Sequence, residues 1–74
     1  MTTLTYYERA EFGYFNCSEL GVLMRIAIVN KKPNAFHSLG MDTIVSKNKY
    51  SKDEIQDIIN EEFNPEIVKL EYNA

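Results

Sequence analysis

The chain has 74 residues, of which 45% are hydrophobic and 26% are charged, and its net charge at pH 7 is −3. This length permits one small hydrophobic core and excludes multidomain enzymes, repeat arrays and bundles of transmembrane helices. Leu, Ile, Val and Phe make up 20 of the 74 residues, a proportion typical of folded chains. We therefore expect a single domain over residues 1–74.

The sequence has the features expected of a cytoplasmic protein with no membrane partner. Its longest apolar run, Val22–Val29, contains Arg25, and it is far shorter than the ~20 residues of a transmembrane helix. The first residues show no basic segment followed by an apolar one, as a signal peptide would. The single cysteine, Cys17, cannot form an intramolecular disulfide, which agrees with a reducing compartment.

Alternating and β-branched residues predict strands in the first part of the chain. Aromatic and apolar side chains alternate between Leu4 and Phe15, which favours a strand bent near residues 8–9. A helical turn over residues 6–12 is the main alternative. Val22–Asn30 is short and rich in β-branched residues, so we expect a second strand that forms a hairpin with the first.

A third strand is expected within Phe36–Ser46. Asn30–Asn34 precedes it as a turn, because Pro33 fixes φ and removes a backbone donor. The strand is interrupted at Gly40, since glycine weakens a strand interior. Its clearest part is residues 43–45, where Thr, Ile and Val follow one another.

The last third of the chain predicts one helix and one strand. Ser51 and Glu54 have the spacing of a capping box, which marks the start of a helix. A single apolar stripe follows at helical spacing: Ile55, Ile58, Ile59 and Phe63. Asn64–Pro65 ends the helix, and alternation over residues 68–72 predicts the final strand. The fold class is α+β, in the order β-β-β-α-β. We expect an antiparallel sheet of about four strands, with one amphipathic helix on one face.

We expect no enzymatic activity, no cofactor and no metal. His37 is the only histidine, and Cys17 with His37 supplies two metal ligands where zinc needs three or four. The three glycines form no phosphate-binding or dinucleotide-binding pattern. Nothing close to Cys17 in the sequence lowers its pKa, so we interpret this thiol as incidental, and we interpret His37 as a turn or edge residue.

Charge is distributed unevenly along the chain. Residues 1–52 carry a net charge of +3, whereas residues 53–74 carry −6. Four carboxylates fall on the helix face opposite the apolar stripe: Asp53, Glu54, Asp57 and Glu61. We interpret this face as a docking surface for a protein with a basic surface. The alternatives are a solvated face, or neutralisation across the fold by lysines at positions 31, 32, 47 or 49.

A single helix covers only one face of a sheet, so the second face remains open. On the strand assignment above, this predicted sheet face includes the following residues: Tyr7, Phe15, Leu23, Arg25 and Val29. An open apolar surface of this size predicts a homodimer contact or a partner site. Two alternatives are the opposite strand register and cover from Phe36–Met41. With Arg9 nearby, the same face could stack the bases of a single-stranded nucleic acid.

The most consistent interpretation is a non-catalytic protein-binding module that acts on a host or cellular protein. Asn, Lys, Ile and Tyr contribute 25 of the 74 residues, and their A/T-rich codons are typical of many bacteria and large bacteriophages. We therefore predict a phage-type accessory or inhibitor protein. The first alternative is a small protein that binds single-stranded nucleic acid, and the second is a DNA mimic. Four carboxylates are few for a mimic, because duplex DNA carries one charge per ~1.7 Å.

Overall fold

The computed structural model describes residues 2–40 and 42–74, in which five strands and two helices form one α+β unit. The strands are β1 (Thr2–Glu8), β2 (Gly13–Asn16), β3 (Phe36–Ser38), β4 (Thr43–Ser46) and β5 (Val68–Asn73), and the helices are α1 (Val22–Lys31) and α2 (Lys52–Glu62). The strand order is β3-β4-β2-β1-β5. The predicted α+β class is confirmed. The sheet has five strands rather than about four, and it is mixed rather than antiparallel because β5 runs parallel to β1.

The prediction of a strand over Val22–Asn30 is wrong, because this segment forms α1. A short apolar run without polar alternation fits a helix against a core as well as it fits a strand, so periodicity cannot distinguish them. Met24 and Ile28, one helical turn apart, both pack into the core. The Arg25 amide donates to the Gly21 carbonyl (3.1 Å) at the start of the helix.

The first hairpin consists of β1 and β2 rather than of β1 and the Val22 segment. The predicted bend is its turn, where the Arg9 amide donates to the Phe12 carbonyl (2.9 Å), and no helix forms over residues 6–12. The register pairs Tyr6 with Phe15 and Tyr7 with Tyr14. Even-numbered residues of β1 therefore share a face with odd-numbered residues of β2.

Both helices pack on the same face of the sheet, and a single core lies between the helices and this face. Its buried apolar side chains are Leu4, Tyr6, Phe15, Cys17, Leu20, Ile28, Phe36, Ile44, Ile55, Ile58, Ile59 and Val68. The opposite face, which we call the outer face, has half-buried and exposed side chains: Thr3, Thr5, Tyr7, Tyr14, His37, Thr43, Val45, Lys69 and Glu71. We predicted an open sheet face, but the residues on the outer face differ from those predicted.

The predicted break at Gly40, capping box and apolar stripe in the second half of the chain are confirmed, but the single strand expected within Phe36–Ser46 is a pair of antiparallel strands, β3 and β4. Gly40, with φ of 134°, separates β3 from β4, and glycine suits this backbone conformation because it lacks a Cβ. Ser51 and Glu54 form the capping box, with N···O distances of 3.2 and 3.0 Å. Within the apolar stripe Ile55, Ile58 and Ile59 are buried, and Phe63 packs against the core.

Neither helix has the length of a membrane span. α1 has ten residues and α2 has eleven, and within residues 2–40 and 42–74 no helix is long and apolar enough to cross a bilayer.

Candidate functional site: the α1 groove

α1 has more apolar residues than the core can bury. Seven of its ten residues are apolar, and they occur on all sides of the helix. Ile28 is the only one that is fully buried, while Met24 and Val29 are half-buried against the core. A helix that is apolar all round is normally enclosed by protein, so the composition of α1 exceeds what this fold encloses.

The side of α1 opposite Ile28 faces solvent. Val22, Leu23 and Ile26 lie there within an arc of about 100°, and they are 61%, 81% and 49% exposed. Leu39, in the β3–β4 turn, is 69% exposed. Large apolar side chains are individually common on protein surfaces, but three on one helix face form a continuous apolar surface.

A groove of about 360 Å³ runs between α1 and the β3–β4 turn. We call it the α1 groove, and its lining residues are Val22, Arg25, Ile26, Val29, Asn30, Ser38 and Gly40. Leu39 lies between Ser38 and Gly40 in the sequence but is not among the lining residues. The site therefore combines a helix face with a tight turn, and its lining is mostly apolar.

Arg25 is the only charged residue in this lining. Its Nε is buried and has no hydrogen-bond partner among the described residues. A buried guanidinium nitrogen without a partner is uncommon in folded proteins, because its desolvation is not compensated. The guanidinium of Arg25 gives the groove lining a positive charge, which a carboxylate could neutralise.

The five residues of the predicted sheet face do not form one surface. The prediction that Phe15 lies on the open face is wrong. Phe15 is fully buried and packs edge-to-face against Tyr6, with ring centroids 4.9 Å apart. The parity of the β1–β2 register places it on the core side. Leu23, Arg25 and Val29 lie on α1, where Leu23 belongs to the exposed face and the other two line the groove.

Tyr7 is the one residue of this set that lies on the outer face. It stacks on Tyr14 with ring centroids 4.8 Å apart, and the Arg9 guanidinium lies 5.3 and 5.2 Å from the two centroids. Arg9 also donates to the Tyr14 hydroxyl (3.1 Å). Because the rings stack on each other beneath Arg9, this geometry favours an intramolecular cation–π cluster over a base-stacking surface. The nucleic-acid interpretation stays a prediction.

The suggestion that Phe36–Met41 covers the open face is not supported by the described residues. Phe36–Ser38 is itself a strand of the sheet, with the Phe36 side chain in the core. His37 lies on the outer face opposite Val45. Met41 lies outside the described residues.

The four carboxylates of the predicted acidic face are all exposed, but two of them act within the protein. Glu54 accepts from the Ser51 amide in the capping box, and this hydrogen bond lowers the pKa of the Glu54 carboxyl. The Lys31 ammonium lies 2.7 Å from Glu61 and 3.2 Å from Glu62. These contacts lower the pKa of Glu61 and raise that of Lys31. Neutralisation by Lys31 was one predicted alternative.

A second groove, of about 690 Å³, lies between the two helices and contains this ion pair. Asp57 lines it together with Lys31, Lys32 and Glu61. Charges of both signs therefore meet here, which differs from the purely acidic surface that the helical wheel predicts. Asp53 and Asp57 form no ion pair within residues 2–40 and 42–74.

The thiol of Cys17 is buried in the core. Burial raises its pKa to about 12, although Arg25 acts in the opposite direction. A thiol of this kind is protonated at neutral pH and a poor nucleophile. In the part of the chain that the structure describes, no three His, Cys, Asp or Glu side chains are grouped as metal ligands.

Val22 and Ile26 were not among the predicted site residues. The available signal was the apolar run Val22–Val29, which is interrupted only by Arg25 and has more apolar residues than one half-buried strand needs. Comparison of the chain with protein-family models, curated proteins and solved structures gave no match.

Proposed function

We propose that this protein is a non-catalytic protein-binding module that holds an apolar segment of another protein in the α1 groove. The observation that carries the proposal is the solvent exposure of Val22, Leu23 and Ile26 on a helix that is apolar on every side. Burying such a surface against a partner is favourable by about 25 cal/mol per Å² of apolar area. An amphipathic helix or extended segment is the usual occupant of such a groove.

The chemistry of the lining indicates the character of the segment. Arg25 supplies the only charge in the lining, and its Nε is buried without a partner among the described residues. Asn30 and Ser38 add uncharged polar groups. We expect a segment with two or more apolar side chains and one carboxylate, because the carboxylate would complement the positive charge of the Arg25 guanidinium in the lining.

The finer predictions from the sequence stay predictions. A phage-type inhibitor acting on a host protein agrees with a small binding module. A partner with a basic surface would use Asp53 and Asp57, because among the described residues Glu61 is paired with Lys31 and Glu54 accepts the capping hydrogen bond. We place the α1 groove first, because burying exposed apolar surface contributes more to affinity than a solvent-exposed ion pair does.

Selection from a displayed random-peptide library against the purified protein tests the proposal. We expect enriched peptides to combine apolar residues at helical spacing with an acidic residue. Binding of a selected peptide, followed by fluorescence polarisation, should weaken at least tenfold in Ile26→Asp. In Arg25→Gln the preference for the acidic position should be lost while apolar binding remains.

The matched control is Phe12→Ser, which removes an exposed aromatic residue that does not line the groove. It should bind the selected peptides as the parent protein does, and circular dichroism should show that all three variants are folded. Equal peptide affinity in the parent and Ile26→Asp would refute the assignment to the α1 groove.

A further inference from the structure

β5 is a six-residue strand at the edge of the sheet, and β1 is its only neighbouring strand among the described residues. The Thr2 amide donates to the Ile67 carbonyl (2.9 Å), so the odd-numbered residues of β5 direct their backbone groups toward β1. Backbone groups of Val68, Leu70 and Tyr72 consequently point to the open edge. In the described part of the chain the Val68 amide donates to the Asn64 carbonyl (3.1 Å), which leaves the positions 70 and 72 open.

The side chains of β5 carry complementary charges along this edge. Lys69 and Glu71 are exposed on the outer face, and their neighbours on β1 are the uncharged Thr3 and Thr5. Neither charge forms an ion pair within residues 2–40 and 42–74. Leu70, between them, is half-buried on the core side and packs against the core.

We propose that β5 pairs with β5 of a second copy of this chain, antiparallel about a two-fold axis at Leu70. The two sheets then join into one sheet of ten strands. Lys69 of each copy lies opposite Glu71 of the other, and the two Leu70 side chains meet on the core side. The two Leu70 residues exchange their amide–carbonyl hydrogen bonds, and each Tyr72 amide donates to the Val68 carbonyl of the other copy.

Charge distinguishes this register from its neighbours. In an antiparallel pair, residues whose backbone groups face the edge must lie opposite one another. A two-fold axis at residue 69 would place two lysines opposite each other, and an axis at residue 71 would oppose two glutamates. The axis at Leu70 instead sets opposite charges in the non-hydrogen-bonded pair, where side chains approach most closely. With this axis, residues 68–72 of one copy pair with residues 68–72 of the other.

The other edge of the sheet is less suited to this pairing. β3 has three residues, and α1 packs beside it. Since α1 and β5 lie at opposite edges, the pairing leaves the α1 groove of each copy open. The dimer is therefore independent of the proposed function, and it would present two grooves to a partner.

Sedimentation and light scattering of the full chain over a concentration series test the pairing. We expect the parent protein to approach twice the chain mass as concentration rises. Glu71→Lys and Lys69→Glu each place like charges opposite one another, so each variant alone should dimerise at least tenfold more weakly. An equimolar mixture of the two variants should recover the dimer, because each chain then complements the other.

The exchanged variant, Lys69→Glu with Glu71→Lys, should dimerise as the parent does. Both residues are exposed, and thermal melts should show that all variants remain folded. A parent protein that is monomeric at every concentration overturns the pairing, as does failure of the mixed variants to associate. A dimer that forms equally well in the parent and in the charge variants, but is lost in Leu23→Ser, would place the contact on α1 and would also overturn the β5 pairing.

Discussion

The hydroxyl of Tyr6 lies 2.9 Å from Oγ of Ser46, although the two residues are forty positions apart and their strands are separated by β2. Ser46 is buried, and its hydroxyl donates to the Asn48 carbonyl (2.7 Å). The Tyr50 amide donates to the Tyr6 oxygen (3.3 Å). Tyr6 therefore donates to Ser46, and the chain of hydrogen bonds satisfies both buried hydroxyls. Gly13, on β2, provides the space that the Tyr6 ring crosses.

Gly13→Ala should destabilise the protein by roughly 1–3 kcal/mol, because the new methyl group would overlap the Tyr6 hydroxyl and displace it from Ser46. Urea unfolding followed by circular dichroism measures the difference. Gly21→Ala is the matched control, since a methyl group there meets no atom within 4 Å. It should cost about 1 kcal/mol or less, as expected at a helix N-cap. Equal losses in the two variants would contradict the role given to Gly13.

Ile28→Ala and Ile26→Ala distinguish a helix from a strand over residues 22–31. In a helix the two side chains point to different sides, and Ile28 is fully buried while Ile26 is half-exposed. We expect Ile28→Ala to lower the free energy of unfolding by about 2–5 kcal/mol and Ile26→Ala to change it by about 0.5 kcal/mol. In a strand both residues would share a face, so similar losses would contradict α1.

The thiol of Cys17 should resist alkylation in the folded protein. Its pKa of about 12, against an ordinary value of 9.0, lowers the thiolate fraction at neutral pH roughly a thousandfold, and burial also excludes the reagent. Mass spectrometry after treatment with iodoacetamide should show labelling in urea and almost none in buffer. The control is Ser18→Cys in a Cys17→Ser background, where the exposed thiol should react rapidly in both conditions. Rapid labelling of native Cys17 would show that the core opens readily.

The ion pair between Lys31 and Glu61 should make stability depend on pH in the acidic range. The hydrogen bond from Lys31 holds the pKa of Glu61 below its ordinary value of 4.5. Stabilisation is therefore present above pH 4.5 and is lost as the pH falls through the lowered pKa. We expect Glu61→Gln to lower the thermal midpoint slightly at pH 7 and to match the parent near pH 3.

The control for this prediction is the same change in a Lys31→Met background. Without the lysine, Glu61→Gln should have no pH-dependent effect on the thermal midpoint, because the two changes remove one interaction. A difference between parent and Glu61→Gln that persists unchanged from pH 7 to pH 3 would contradict the assignment.

Residues 51–65 show how much of this fold follows from local sequence. The capping box at Ser51, the stripe of isoleucines and the stop at Pro65 are confirmed, because each rests on interactions within a few residues. The break at Gly40 is confirmed for the same kind of reason, since its positive φ is a local requirement. The strand assignment placed Leu23, Arg25 and Val29 on an open sheet face, whereas all three lie on α1.

The tertiary structure decided what depends on distant parts of the chain. Val22–Lys31 is a helix because Met24 and Ile28, on one side of the helix, both pack against the core. No local signal in the sequence excluded a strand here. Phe15 is buried because the turn between β1 and β2 sets the register, and a change of one residue reverses the face. The sequence by itself determined where elements begin and end when their signals are local. The faces they share, and hence the α1 groove, were decided only when the strands paired.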